Sequence, residues 1–239
     1  MLAATVLFAT WILLGVPTAF IAIPWTILTR DITLLYRWGI AVVRIGLRLA
    51  GIRVQTEGRQ FLDLHEACIF LSNHVSNLDP PILISLLPHR VSVFLKRSLM
   101  KIPILGYGMR LARFIPVDRD GRVESAIESG ETAARVLASG ISVLSFVEGT
   151  RSRDGRLQPF KKGPFYLAME TGAPVVPISI HGTESMMKKG SFRIFPGTAH
   201  VIFHPPILPR DYATREDLMD AVRIAIASGL PEWMRGETS

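Results

Sequence analysis

No charged side chain precedes Arg30 in this 239-residue chain. The uncharged, largely apolar run from Met1 to Leu28 exceeds the roughly 20 residues needed to cross the hydrocarbon of a bilayer. No Lys or Arg precedes the run, and its length is too great for the apolar core of a signal peptide, which argues against cleavage. Pro17 and Pro24 leave two geometries open, a span or a segment that dips into one leaflet. Arg30, Arg37, Arg44 and Arg48 follow directly, and the spacing of seven, close to two helical turns, predicts that the first three share a face. With Leu34, Leu35, Trp38, Val42, Ile45 and Leu49 they describe a basic amphipathic helix suited to an anionic membrane interface. An ordinary domain helix with a solvated arginine stripe has the same pattern; the uncharged run before it favours the membrane. Arginines on that flank place it on the cytoplasmic side.

The net charge of +7 points to an anionic partner: nucleic acid, a phospholipid surface or a phosphorylated substrate. Nucleic acid is disfavoured, because the arginines stand beside an apolar run rather than among base-stacking aromatics. Cys68 is the only cysteine and lies in an apolar stretch, which rules out an internal disulfide and fits a small core residue.

From Gly51 the pattern changes to short apolar strands alternating with helices. Strands are predicted at Arg53–Glu57, Ala67–Ser72, Val91–Leu95, Phe114–Val117, Ser142–Phe146 and Val175–Ile180. Asp79-Pro80 reads as a helix cap followed by proline in the first turn. Val123, Ile127, Gly130, Ala134 and Leu137 recur at helical spacing up to Gly140, and Phe165–Thr171 is a helix stopped by Gly172. Phe192–Phe195 and His200–His204 around Pro196-Gly197 predict a hairpin, and Thr214–Ser228 a last helix capped by Thr214 with Asp217. Alternating strands and helices imply an α/β fold with a largely parallel sheet covered on both faces. Residues 1–50 then form a membrane-anchoring two-helix segment and residues 51–239 the α/β domain. No repeat, low-complexity tract or linker interrupts it.

Two clusters at strand ends carry chemistry. In Ser72-Asn73-His74-Val75-Ser76-Asn77-Leu78-Asp79-Pro80, a loop histidine precedes an aspartate at a helix start. A carboxylate accepting from one ring N–H would fix the tautomer and leave the other nitrogen as a base for a hydroxyl. Separately, Asp79 fits a mere cap and His74 a polar loop residue. In Phe146-Val147-Glu148-Gly149-Thr150-Arg151-Ser152, Arg151 offers a planar fork for phosphate, with Glu148 placed to orient it. Gly149 allows close approach of backbone N–H groups to an oxyanion. A surface turn with an ion pair fits the same residues, and Lys161 and Lys162 add positive charge. His65, His74, His89, His181, His200 and His204 show no paired ligand spacing, so no resident metal is expected. No Gly-x-Ser-x-Gly occurs, which disfavours a serine hydrolase.

Asn73-His74 with Asp79 resembles the His-x-x-x-x-Asp box of the glycerolipid acyltransferases, most closely the 1-acylglycerol-3-phosphate (lysophosphatidic acid) acyltransferases. Phe114-Ile115-Pro116-Val117-Asp118-Arg119, Phe146 to Ser152 and Val175-Val176-Pro177-Ile178-Ser179-Ile180 resemble the family's further blocks, in its order. Similarity extends through Phe160-Lys161-Lys162-Gly163, Lys96 and Ile102-Pro103-Ile104-Leu105-Gly106, covering about residues 65–185. The resemblance implies a mixed, largely parallel sheet flanked by helices. It implies acyl transfer from acyl-CoA or acyl-carrier protein to the sn-2 hydroxyl of lysophosphatidic acid, with no cofactor, at the cytoplasmic membrane. A sister enzyme acting on a lyso-ornithine lipid or another lyso-lipid is the alternative. It further implies His74 as base, Asp79 as its orienter, and phosphate binding by Arg151 with Lys96 and Arg119. Glu148, Gly149 and Thr150 would shape that pocket, and Ser76 would form no acyl-enzyme. Three positions depart from the pattern: Val147 replaces a proline and relaxes the turn, Pro164 replaces a small residue, and Arg113 replaces a glycine. Arg113 would put an extra cation close to the site and leave the acceptor open.

Overall fold

The computed structural model describes residues 2–118 and 123–236. Helix α1, Leu2–Thr29, runs unbroken through Pro17 and Pro24. Its 28 residues reach about 42 Å at the α-helical rise, and among the described helices it alone is long and apolar enough to cross a membrane. Helix α2, Thr33–Leu49, folds back along it. The close approach depends on Gly46, where a Cβ would lie 2.3 Å from Trp11 Nε1. Arg30 does not join the arginine stripe of α2. It sits in the break with a left-handed φ of 58°, while Asp31 Oδ1 accepts from the Thr33 N–H at 2.8 Å to start the new helix.

The domain runs β1 (Ile52–Glu57), β2 (Ile69–Ser72), α3 (Asp79–Leu86), β3 (Val91–Lys96), α4 (Leu105–Leu111), β4 (Ile115–Val117), α5 (Val123–Ala138), β5 (Ser142–Phe146), α6 (Gly163–Thr171), β6 (Val175–His181), α7 (Thr183–Met186), β7 (Gly197–Phe203) and α8 (Arg215–Ser228). The seven strands form one sheet in the order β1-β7-β6-β2-β5-β3-β4. Every neighbour pair is parallel except β6 with β7. The central strand β2 is buried at every residue, as a sheet covered on both faces requires.

One face packs Leu7 of α1, Leu47 of α2, and Ile82 and Leu83 of α3 against Phe70, Val93, Val176 and Ile178. The other packs Ala133, Val136 and Leu137 of α5, Phe165 of α6, and Leu218, Val222 and Ile226 of α8 against Ile69, Leu71 and Val143. Arg44, expected on the membrane face, donates from Nε (3.0 Å) and Nη2 to Ser85 O near the carboxyl end of α3. It ties the helical pair to the domain at a helix end that favours a cation.

The expected strand and helix segments occur with shifted ends, and the Thr214–Asp217 capping box is present. The hairpin at Pro196-Gly197 is not. Residues 192–195 form no strand, and Gly197 is the first residue of β7, which pairs with β1 on one side and β6 on the other. With both edges occupied, β7 has no ladder left to offer a hairpin partner.

Candidate active site

The strands β2, β5, β3 and β6 end at one edge of the sheet, with Ser72 registered beside Phe146 on β5 and Ile178 on β6. The chain leaving β2 is held by Asn73, whose amide donates to Ile180 O and accepts from the Ile180 N–H, both at 2.8 Å. That reciprocal pair stands in for a ladder rung and aims the next residue across the strand ends. His74 follows, buried, with its ring stacked on Phe146 at 4.0 Å between centroids. Its carbonyl accepts from the Ser152 N–H at 2.8 Å, so the two sequence clusters are sewn together through the backbone.

His74 Nδ1 lies 2.8 Å from Asp79 Oδ2. The same oxygen accepts from the Val75 and Ser76 N–H groups at 2.8 Å, and Oδ1 accepts from the Thr183 hydroxyl at 2.6 Å. Asp79 is fully buried and surrounded by donors. An ionised carboxylate can only accept, so Nδ1 carries the ring proton and Nε2 the free lone pair. Asp79 is therefore not the cap expected from Asp79-Pro80. It is the first residue of α3, and its side chain turns back onto the preceding loop rather than onto the helix. Pro80 and Pro81 start the helix without needing donors there.

Glu148 is also placed differently from the expectation. Its Oε1 accepts from the His74 N–H at 2.8 Å and its Oε2 from the Gln158 N–H at 3.2 Å, so it orients the histidine's backbone rather than Arg151. Only 2% of it is exposed, and burial pushes its carboxyl up to about 7 against the pull of those two N–H groups. Gly149 has a left-handed φ of 68°, and its own N–H donates to Phe146 O at 3.0 Å. Its amide closes the turn, so it supplies shape and not an oxyanion donor.

Half-buried Arg151 has a guanidinium nitrogen, Nη1, that is buried with no hydrogen-bond partner among the described residues. A planar fork with an unfilled donor among the described residues suits a bound anion. Thr150 is exposed at the tip of the turn. Lys96 ends β3 on the same edge, exposed. Arg119 lies outside the described residues. The stem of Lys161 packs beneath Gly149, and Lys162 is exposed at the start of α6.

The three departures have specific consequences. Val147 does not relax the turn: its N–H donates to Ser72 O at 3.0 Å, a bond a proline would lack. Arg113 is not near the site. It precedes β4 at the opposite edge, where its carbonyl accepts from Ser92 Oγ and its guanidinium bonds Ser139. Its φ of 60° is the conformation a glycine adopts without strain. Pro164 lies in the first turn of α6.

Four contributors were missed in the sequence. Thr183 and Gln158 are remote from the motifs they serve, and the Phe146 ring is indistinguishable from a core residue. Lys189, whose Nζ donates to Arg151 O at 2.5 Å, comes from an irregular segment. Asn73, by contrast, stands next to the histidine, and its buried strand-end position was a usable signal.

The sequence and the fold have parallels in known proteins. A family model described as Acyltransferase matches residues 53–181, more than half of the chain. A chloroplastic 1-acyl-sn-glycerol-3-phosphate acyltransferase of Brassica napus is 40% identical over 166 residues, 68% of this chain and 46% of that protein. The 1-acyl-sn-glycerol-3-phosphate acyltransferase of Limnanthes douglasii is 34% identical over 203 residues, 84% of this chain and 70% of that protein. This chain thus spans just under half the length of the first relative and over two thirds of the second. The crystal structure of the 1-acyl-sn-glycerophosphate (LPA) acyltransferase PlsC from Thermotoga maritima superposes with a TM-score of 0.82 at 25% identity, covering 100% of this chain and 97% of that one. By the family match, by its relatives and by its fold, this chain belongs to the acyltransferase family.

Proposed function

We propose that the protein is an O-acyltransferase that moves a fatty acyl group from an acyl thioester to the sn-2 hydroxyl of 1-acylglycerol 3-phosphate, forming phosphatidic acid. The observation that carries this reading is the buried His74–Asp79 pair beside an arginine with an unfilled donor. His74 Nε2 takes the proton of the acceptor hydroxyl as its oxygen attacks the thioester carbonyl. The new C–O bond forms, the C–S bond breaks, and the imidazolium returns the proton to the departing thiolate. Asp79 stabilises that imidazolium, and Thr183 with the two backbone N–H groups keeps Asp79 in place. Arg151, with Lys96 and Arg119, holds the acceptor's phosphate; Thr150 and the Glu148-Gly149 turn shape the pocket. Direct attack by the hydroxyl needs no enzyme nucleophile, so Ser76, whose hydroxyl is committed to Met187 O at 2.9 Å, stays outside the chemistry.

Residues 1–50 anchor the enzyme at the membrane with its site toward the cytoplasm, and the thioester is acyl-CoA or acyl-carrier protein. The deciding assay presents the purified protein with labelled acyl-CoA and a panel of lyso-lipids with and without phosphate. Transfer to 1-acylglycerol 3-phosphate, lost in His74→Ala, is the expected result. Transfer confined to phosphate-free acceptors, or full activity in His74→Ala, would overturn the reading.

A further inference from the structure

We propose that residues 188–195 form a second lipid-contacting element, a basic aromatic loop that seats the mouth of the active site in the headgroup layer of an anionic bilayer. The proposal rests on the membrane-bound reading given above. In Lys188-Lys189-Gly190-Ser191-Phe192-Arg193-Ile194-Phe195, Phe192 is 77% exposed and Phe195 55% exposed. Two exposed rings three positions apart on one irregular segment offer apolar area that a lipid phase would receive. No acidic residue occurs between Met186 and Pro196, while Lys188 and Arg193, both exposed, supply cations. Aromatic rings interleaved with basic side chains match an anionic interface, the rings entering the acyl boundary and the cations staying with the phosphates.

The loop is held in shape from beneath. Ile194 is buried in the same core cluster as Leu7 of α1 and Leu47 of α2. The Phe195 N–H donates to Met186 O at 2.9 Å, and the Arg193 N–H donates to Ser191 Oγ at 3.0 Å. The rings are thus displayed by a fixed backbone.

Its two ends connect the two places that have to act together. At one end, Pro196 packs on Gly51, directly after α2, where a Cβ would lie 2.9 Å from the proline ring. The loop therefore adjoins the carboxyl end of α2, where Leu49 is exposed. At the other end, Met187 O accepts from Ser76 Oγ, two residues from His74, and Lys189 reaches Arg151 O. Adjacency to α2, and two exposed rings flanked by Lys188 and Arg193, favour a lipid surface over an acidic protein as the occupant.

The test uses the full chain with Phe192→Cys or Phe195→Cys carrying an environment-sensitive nitrobenzoxadiazole probe. Cys68 stays unlabelled because it is buried and its thiol is pushed up to about 12. On vesicles of phosphatidylcholine and phosphatidylglycerol, both probes are expected to shift to the blue and to be quenched by spin-labelled acyl chains. A probe at Ile224→Cys, exposed on α8 across the sheet, is expected to do neither. The unlabelled double variant Phe192→Ser/Phe195→Ser is expected to lose about tenfold in turnover of vesicle-borne acceptor, the equivalent of one lost apolar anchor. With a short-chain acceptor dissolved as monomers it should stay within twofold of wild type. Probes that remain in water while the chain sediments with vesicles overturn the proposal and leave the membrane reading standing. A chain that does not sediment with vesicles overturns both. Probes shielded by acyl-carrier protein but not by vesicles, or a variant impaired equally on both acceptors, also overturn it.

Discussion

Thr183 donates its hydroxyl proton to Asp79 Oδ1 at 2.6 Å, joining residues 104 positions apart in the chain. Thr183 begins α7 just beyond β6, so an element that follows the sheet's central strands secures the carboxylate bonded to His74. Thr183→Val keeps the shape and removes the donor. The expected result is a fall in kcat of about tenfold, consistent with loss of one charge-assisted hydrogen bond, with the acceptor KM unchanged. Thr183→Ser, which retains the hydroxyl, is expected to recover most of the rate. Equal kcat in wild type and Thr183→Val would remove the threonine from the mechanism.

Among the described residues Arg151 Nη1 is buried without a hydrogen-bond partner, so truncation breaks no hydrogen bond of that atom to them. Arg151→Ala is expected to raise the acceptor KM by about 10- to 100-fold, the loss of a charge-assisted pair, while the KM for the acyl donor changes little. Steady-state kinetics with both substrates varied distinguishes this from a general loss of activity.

Asn73 presents the opposite case, a residue beside His74 that holds the sheet edge. Asn73→Ala leaves the Ile180 N–H and C=O without their partner in a fully buried position. The expected cost is about 2–4 kcal/mol of unfolding free energy, two hydrogen bonds with their desolvation penalties. Denaturant unfolding in detergent measures it, with no change in the unfolding midpoint as the result that would contradict the role.

Glu148 gives the fold a dependence on pH with a definite sign. Its folded-state carboxyl is raised to about 7 by burial, from an ordinary value of 4.5. Between those values the folded chain binds more protons than the unfolded one, so this group's contribution to stability falls as pH rises from 4.5 to 7 and is level above that. The size is on the order of 3 kcal/mol. Against Glu148→Gln, which cannot titrate, the wild type is expected to gain stability as the pH drops through this window. Parallel curves for the two proteins would show that Glu148 titrates outside it.

Much of the architecture was readable along the chain because periodicity reports local structure. The apolar run of α1, the strands around β2, β5 and β6, and the Thr214–Asp217 box all follow from short-range pattern. What failed were inferences about neighbours. Phe192–Phe195 looked like a strand but had no free edge to pair with, since β1 and β6 occupy both sides of β7. Arg113 looked close to the site because its block is part of the family pattern, yet it lies at the amino end of β4. Glu148 sits beside Arg151 in sequence, but its carboxyl bonds His74 and Gln158.

The sequence alone determined the inventory of this protein: an uncharged helix with arginines after it, an alternating α/β chain, and a histidine, aspartate and arginine at the ends of apolar strands. Tertiary structure alone decided the pairings. Thr183 rather than a helix end satisfies Asp79, Glu148 aligns the backbone of His74, and Lys189 braces the turn that presents Arg151. The physical reason is that a buried polar group bonds whatever partner the packed strands bring within about 3 Å, and that distance bears no relation to separation along the chain. His74 and Asp79 were visible as a pair, but the groups that make them one unit were not.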